Sequence, residues 1–353
     1  RYALALAPAR PLDEKRKPAN YDRESTALAA KPEDEDMKDR GAPAIPNGWY
    51  AVAWTKDLGV GDVQRIRYFD NEMVLFRTRS GEARVLDAYC PHLGAHLAEG
   101  GRVQGESVRC PFHAWEFDGQ SGECSKIPYC AKIPPKARVR AWDVRELNHM
   151  IFVWHHAEGK PPSWEIPRAT QYDDPDWSPA RTFEIEVPVH IQDMAENNLD
   201  PVHFEYVHGM NATPDTEISF EDNGRVMHAV SYSTQDTPVG TFDMQLVRDT
   251  WGLGLGTVES SGIPGVGLYM FTSTTPIDRD TTISRWALTT TNNAVDVAGE
   301  EWMDNITKGV YDDFRIWKNK IHRADPVFCE ADTLLVEFRR WAKQFYSPTP
   351  DAD

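Results

Sequence analysis

With 353 residues, 41% of them apolar, the chain is long enough for about two domains, each with its own core. Thirty-eight basic against 55 acidic residues leave a formal net charge of −17, which disfavours nucleic acid and anionic membrane as partners, because phosphate contacts need a positive surface. Five cysteines are too few for a disulfide framework and no run of about 18 apolar residues occurs, so a reducing, cytoplasmic setting without a membrane span is expected.

Residues 1–45 are rich in charge, Ala and Pro, including the block Lys31-Pro32-Glu33-Asp34-Glu35-Asp36, and show neither helical nor strand period. They are expected to form a flexible or subunit-draping arm. The apolar stretch between Arg1 and Pro8 is too short to read as a secretion signal. From Trp49 to Trp154 come short β-prone runs, among them Ala51–Trp54, Glu72–Phe76 and Met150–Trp154, punctuated by Gly, Asn and Asp. They predict a small antiparallel, all-β domain over 46–160, closed by Gly159-Lys160-Pro161-Pro162.

Two pairs inside that domain carry chemistry: Cys90-Pro91-His92 and Cys110-Pro111-Phe112-His113. Structural zinc sites place their cysteines before their histidines, whereas here the order is interleaved; a zinc knuckle of unusual order or two ordinary turns are the competing readings. In a [2Fe–2S] cluster held by two Cys and two His, the cysteines take one iron and the histidines the other, so each loop supplies one ligand to each iron. Gly94, Gly100 and Gly101 suit tight loops around such a cluster. The segments C-P-H-L-G-A at 90–95 and C-P-F-H-A-W at 110–115 resemble the Rieske family. Rieske proteins of respiratory chains carry an extra cysteine in each loop; Ala95 and Phe112 stand there instead. The hydroxyl beside a cluster sulfur is also missing, with Ala114-Trp115 in its place, and fewer donors to sulfur mean a lower potential. The chain is thus similar to the oxygenase branch.

The second domain, 161–353, opens after a polar stretch to Pro179 with Phe183, Ile185, Val187 and Val189 alternating against Glu184 and Glu186, one half-buried strand. Its next feature is Asn197-Asn198-Leu199-Asp200-Pro201-Val202-His203-Phe204-Glu205-Tyr206-Val207-His208-Gly209. Two histidines beside a carboxylate suit the 2-His-1-carboxylate face that binds Fe(II) and leaves positions open for O2. Five residues span about 140° on a regular helix, so a shared metal requires a bulge or a helix end, and Gly209 is a fitting terminator. Taken alone, Asp200 as an N-cap before Pro201, with two unrelated histidines, reads equally well. The segment, however, resembles the N-x2-D-x2-H-x4-H iron motif of Rieske oxygenases. That resemblance implies His203 and His208 as iron ligands and Asn197 lining the site. It also implies Asp200 bridging one subunit's iron site to a cluster histidine of its neighbour, in a homotrimer. Some family members have the asparagine one residue upstream, where Glu196 stands.

Strand-like runs follow at 225–233, 242–250, 266–275 and 283–291, then helical patterns at 299–322 and 331–346. Trp251-Gly252-Leu253-Gly254-Leu255-Gly256 lacks a nucleotide fingerprint and reads as a bent strand or pocket wall, so NAD(P)H electrons must come through a separate reductase. On the first helix Ile306, Val310, Trp317 and Ile321 make an apolar stripe that includes Asp313 and leaves Asp312 facing solvent or a partner subunit. A carboxylate on a buried face needs a partner, which makes Asp313 the expected third iron ligand; pairing with Lys318 or Lys320 is the alternative. Cys124, Cys130 and Cys329 are expected to be buried thiols.

Asp312–Lys318 and Phe338–Tyr346 are similar to the C-terminal segments of bacterial 3-ketosteroid 9α-hydroxylase oxygenase components, and Gly122–Tyr129 with Phe152–His156 resembles the sterol 7-desaturases. The resemblance implies an α+β chain: a Rieske domain followed by a helix-grip catalytic domain with an antiparallel sheet. It also implies O2-dependent hydroxylation of a steroid-like apolar substrate, using the [2Fe–2S] cluster and a mononuclear Fe(II). The absence of an anchor favours the hydroxylase over the desaturase, and an oxidative O-demethylase is a further alternative. Readings of another class, an electron-transfer Rieske protein or a lipid carrier, leave either residues 160–353 or both metal motifs without a purpose.

Overall fold

The computed structural model describes residues 43–237, 240–298 and 300–348; the expected arm lies, up to residue 42, outside them. The N-terminal half is built from β1 (Gly48–Trp54), β2 (Val63–Tyr68), β3 (Asn71–Arg77), β4 (Ala83–Asp87), β5 (Arg102–Gln104), β6 (Ser107–Arg109), β7 (Glu116–Asp118), β8 (Cys124–Lys126), β9 (Val144–Leu147) and β10 (Met150–His155). They form three antiparallel sheets in the orders β1-β10-β9, β2-β3-β4 and β5-β6-β7-β8. The three runs read from sequence fall on β1, β3 and β10.

The C-terminal half contains β11 (Arg181–Val187), α1 (Ile191–Ala195), α2 (Val202–Tyr206), β12 (Asp215–Glu221), β13 (Val226–Thr237), β14 (Gly240–Trp251), β15 (Leu255–Ser261), β16 (Leu268–Pro276), β17 (Thr282–Thr290), α3 (Ala294–Ala298), α4 (Glu300–Trp317) and α5 (Thr333–Ala342). One seven-stranded antiparallel sheet runs β11-β17-β16-β15-β14-β13-β12. All five expected strands are present, while β12 and β15 were not anticipated. β12 is an edge strand whose Asp215, Glu217, Ser219 and Glu221 turn outward, a charged rim that discourages further pairing and hides the apolar period. The glycine-rich segment forms the turn from β14 into β15, as a bent pocket wall should: a Cβ on Gly254 would lie 2.4 Å from the Tyr50 ring.

Two features of α4 differ from expectation. The helix stops at Trp317 and the chain unwinds through bonds from Asn319 N to Ile316 O and from Lys320 N to Trp317 O, so Ile321 lies beyond it and is 38% exposed. Val310 and Trp317 are buried as the stripe requires, whereas the side chain of Ile306 lies outside the described ones. Asp312 is partly buried rather than solvent-facing: successive helical positions differ by about 100°, and both Asp312 and Asp313 reach one wide cavity. Cys124 is buried, but Cys130 and Cys329 stand on exposed loops and correct that expectation.

The two halves share their core. β1 is buried along its whole length, packing Tyr50 and Val52 with Met73, Leu75 and Val153, and with Ile191, Leu199 and Phe338 of the C-terminal half. Its other face sets Trp49 and Ala51 against Leu255 and Phe271. Polar links reinforce this contact: Arg285 donates to Ala51 O at 2.8 Å and to the Tyr68 hydroxyl at 2.8 Å. At the β2–β3 turn Phe69 and Asp70 take left-handed φ values of 56° and 57°, and their N–H groups bond to Pro276 O and Ile277 O. The turn is a two-residue hairpin of mirror-image type, and those bonds hold a bulky residue in a conformation it rarely adopts.

Burial also sets an acid limit. The His155 ring stacks on Phe69 with its Nδ1 sealed and unpartnered, and burial pushes it down to about 4; burial and the neighbouring His322 do the same to His190. The unfolded chain therefore binds these two protons more readily. Stability is full above pH ~6.5 and falls as pH drops toward ~4, by at most ~3 kcal/mol per histidine. Urea midpoints at pH 7 and pH 4.5 should differ accordingly, with a smaller difference in His155→Phe; an unchanged difference would contradict this origin.

Candidate active site and metal centres

The first site lies in two matched loops. One joins β4 to β5 and the other β6 to β7. In the first, Cys90 N donates to Ala95 O and Gly94 N to Cys90 O; in the second, Cys110 N donates to Trp115 O and Ala114 N to Cys110 O. Each loop reverses at its fifth residue, Gly94 at φ 73° and Ala114 at φ 59°. Gly101 packs so tightly that a Cβ would sit 1.8 Å from Leu97 O. Both cysteines are 3% exposed. Burial pushes the Cys90 thiol up to about 11, with Cys110 beside it as a lesser cause. Two adjoining buried sulfurs are relieved by a cation that takes both as thiolates. The His92 and His113 rings stand 4.7 Å apart, and His92, stacked on Trp115 at 4.6 Å, keeps an unpartnered Nδ1. Two sulfurs and two imidazoles converge, and the donor set fits a [2Fe–2S] cluster.

The second site depends on where α2 ends. Asp200 Oδ1 accepts the N–H groups of Val202 at 3.0 Å and His203 at 3.3 Å, so the capping role is real and Pro201 sits in the helical region before α2. The helix runs only to Tyr206, and Gly209 at φ 71° turns the chain while Met210 N bonds back to Phe204 O. That early exit brings His208 round to His203, at 5.1 Å between rings. The ligand atoms of His203, His208 and Asp313 lie within 4.8 Å of one another, with His208 Nε2 3.4 Å from Asp313 Oδ2. His203 Nδ1 donates to the Asp200 carbonyl, which can only accept, so its Nε2 presents a lone pair. Burial lowers the His203 pKa and keeps the ring neutral, and the donor set suits Fe(II). These groups line a cavity of about 820 Å³ between α4 and the inner face of the sheet, and Asn197 lines it too.

A further trio, His190, Asp193 and His322, also has its donor atoms within 4.8 Å and gave no signal in the sequence. Its atoms are engaged differently: Lys320 Nζ lies 3.5 Å from Asp193 Oδ1, His322 Nδ1 3.1 Å from Oδ2, and His190 Nδ1 accepts from Gln192 N. An accepting Nδ1 leaves the His190 proton on Nε2, and an ammonium already faces the carboxylate, so this is an ionic tie of the C-terminal segment to α1 rather than a metal centre. The sequence reading also missed Arg248, on the cavity wall.

Residues 48–143 match the Rieske [2Fe-2S] domain and residues 153–346 the 3-Ketosteroid 9alpha-hydroxylase C-terminal domain. "Cholesterol 7-desaturase nvd 1" of Ciona intestinalis is 30% identical, covering 86% of this chain and 69% of its own. A "Probable 3-ketosteroid-9-alpha-monooxygenase, oxygenase component" of Rhodococcus rhodochrous is also 30% identical, over 86% and 80%. The NdmA QL mutant of Pseudomonas putida CBB5 with caffeine superposes with a TM-score of 0.69 at 19% identity, over 86% and 96% of the two chains, and shows the fold alone. The chain belongs to the Rieske non-haem iron oxygenases, in the branch of 3-ketosteroid 9α-hydroxylases and cholesterol 7-desaturases. It is an oxygenase component: it uses a [2Fe–2S] cluster, a mononuclear iron and O2, with electrons supplied by a reductase. No helix among the described residues is long and apolar enough to cross a membrane.

Proposed function

We propose that the chain hydroxylates a steroid-like apolar substrate in the cavity above His203, His208 and Asp313. The observation that carries this reading is the 820 Å³ cavity itself, within the usual range for small-molecule sites (about 300–1,000 Å³), with that trio on its wall. His203, His208 and Asp313 would hold the iron; Cys90 and Cys110 would take one cluster iron, and His92 and His113 the other. Bound there, the metals supply stepwise electrons and O2 activation; one oxygen atom enters a C–H bond and the other leaves as water with two electrons and two protons. The protein binds and orients the substrate. Asp200 holds the start of α2 with its carboxylate and fixes the His203 ring with its carbonyl. We assign its side chain the further task of linking the iron site to a cluster histidine of a neighbouring subunit in a cytoplasmic homotrimer, and place Asn197 beside the iron. In this reading residues 46–160 serve the cluster and 161–353 the iron, while 1–45 form an arm.

Incubation with NADH, a reductase of the matching type, and a panel of sterols, 3-ketosteroids and methoxylated aromatics is expected to yield a steroid product heavier by one oxygen. Desaturation is the second reading, supported by the cholesterol 7-desaturase relatives. A product lighter by two hydrogens would establish it, and demethylated aromatics without steroid turnover would overturn both.

A further inference from the structure

The alternation of β14 puts Met244, Leu246, Arg248 and Thr250 on the cavity face. Arg248 is the outlier in this row, 3% exposed and paired with no carboxylate among the described residues. The nearest acids in sequence, Asp243 and Asp249, occupy the alternate positions on the strand's other face and are engaged by Thr234 and His228. Its guanidinium donates from Nη2 to Ser231 Oγ, faces the Phe204 ring at 5.2 Å, and leaves Nε and Nη1 without a partner. Ser231 Oγ is in turn bonded to Thr216 Oγ1 at 2.7 Å, so the one neutral partner is itself held in place. Burial lowers the Arg248 pKa to about 10, still leaving the group charged at neutral pH.

A buried cation with one neutral hydrogen bond is costly, and in a ligand cavity the missing counter-charge is most directly supplied by the ligand. We propose that Arg248 is a specificity residue and that the substrate carries a carboxylate, which takes the guanidinium's unpartnered donors while the apolar skeleton fills the rest of the cavity. This rests on the steroid reading and narrows it to steroid acids. Nη1 and the second N–H of Nη2 form one edge of the planar guanidinium, which suits two parallel N–H···O bonds that a neutral ester cannot fully replace.

The test is direct binding to the holoenzyme, followed by quenching of tryptophan fluorescence, since Trp286 lines the cavity. The probes are a 3-oxo-steroid with a side-chain carboxylate, its methyl ester, and a chlorinated benzoate. The acid is expected to bind roughly 10- to 100-fold tighter than the ester. Arg248→Met should erase that preference while leaving ester affinity within about 2-fold, and Arg248→Lys should restore part of it. Equal binding of acid and ester by the native protein, or a preference that survives Arg248→Met, overturns the carboxylate assignment and leaves the steroid reading standing. Binding of the benzoate alone, abolished in Arg248→Met, supports the anion site and overturns the steroid reading. Binding of none of the three overturns both.

Discussion

Asp313→Ala is expected to lose the mononuclear iron and retain the cluster. The carboxylate closes the trio, 3.4 Å from His208 Nε2, and without it two imidazoles remain, a weak site for a hard divalent ion. Turnover should fall by more than ~100-fold, because loss of a mere supporting partner of a ligand already costs about 10- to 100-fold. Total iron should drop by the mononuclear share, with acid-labile sulfide unchanged. Asp312→Ala should keep its iron: Asp312 reaches the same cavity but stands outside the trio. Iron kept in the Asp313 variant and lost from the Asp312 variant would transfer the ligand role to the neighbouring residue.

Cys110→Ser is expected to bleach the protein and abolish the Rieske-type EPR signal of the reduced form. The loop's own bonds, Cys110 N to Trp115 O and Ala114 N to Cys110 O, are backbone bonds and survive the change. Secondary structure by circular dichroism should therefore persist while electron entry stops. A variant that keeps the signal would remove Cys110 from the ligand set, and a colourless native protein holding stoichiometric zinc would overturn the cluster altogether.

How far these sites could be read from sequence follows from how local their causes are. The cluster loops were legible because all four expected ligands fall inside two six-residue segments with the same turn. The 2-His segment is legible as chemistry but ambiguous as geometry: Asp200 caps α2 with its carboxylate and orients the His203 ring with its carbonyl, so capping does not compete with a ligand role for His203. Asp313 emerged from helical phase, although only Val310 and Trp317 of the stripe are seen to be buried. The helix end was misjudged since Lys318–Ile321 continue the periodic pattern, and nothing local marks the unwinding at Trp317. The His190–Asp193–His322 tie joins residues far apart in the chain, which no spacing rule anticipates. Arg248 did leave a trace, a charge in phase with Met244, Leu246 and Thr250, visible only once the inward face of β14 is known.

The double burial of β1 bears on how such oxygenases can be recombined. The strand pairs with β10 on the cluster side, yet its Ala51 backbone bonds to Ser273, Thr275 and Arg285 of the catalytic sheet. A chimera joined near residue 160 would therefore divide the polypeptide but not the packing, setting a foreign surface against Leu255 and Phe271. Grafts that exchange a cluster module for one of another potential must carry β1 and its sockets on β16 and β17 together. The natural unit of exchange in this chain is an interlocked set of three strands, one early and two late in the sequence.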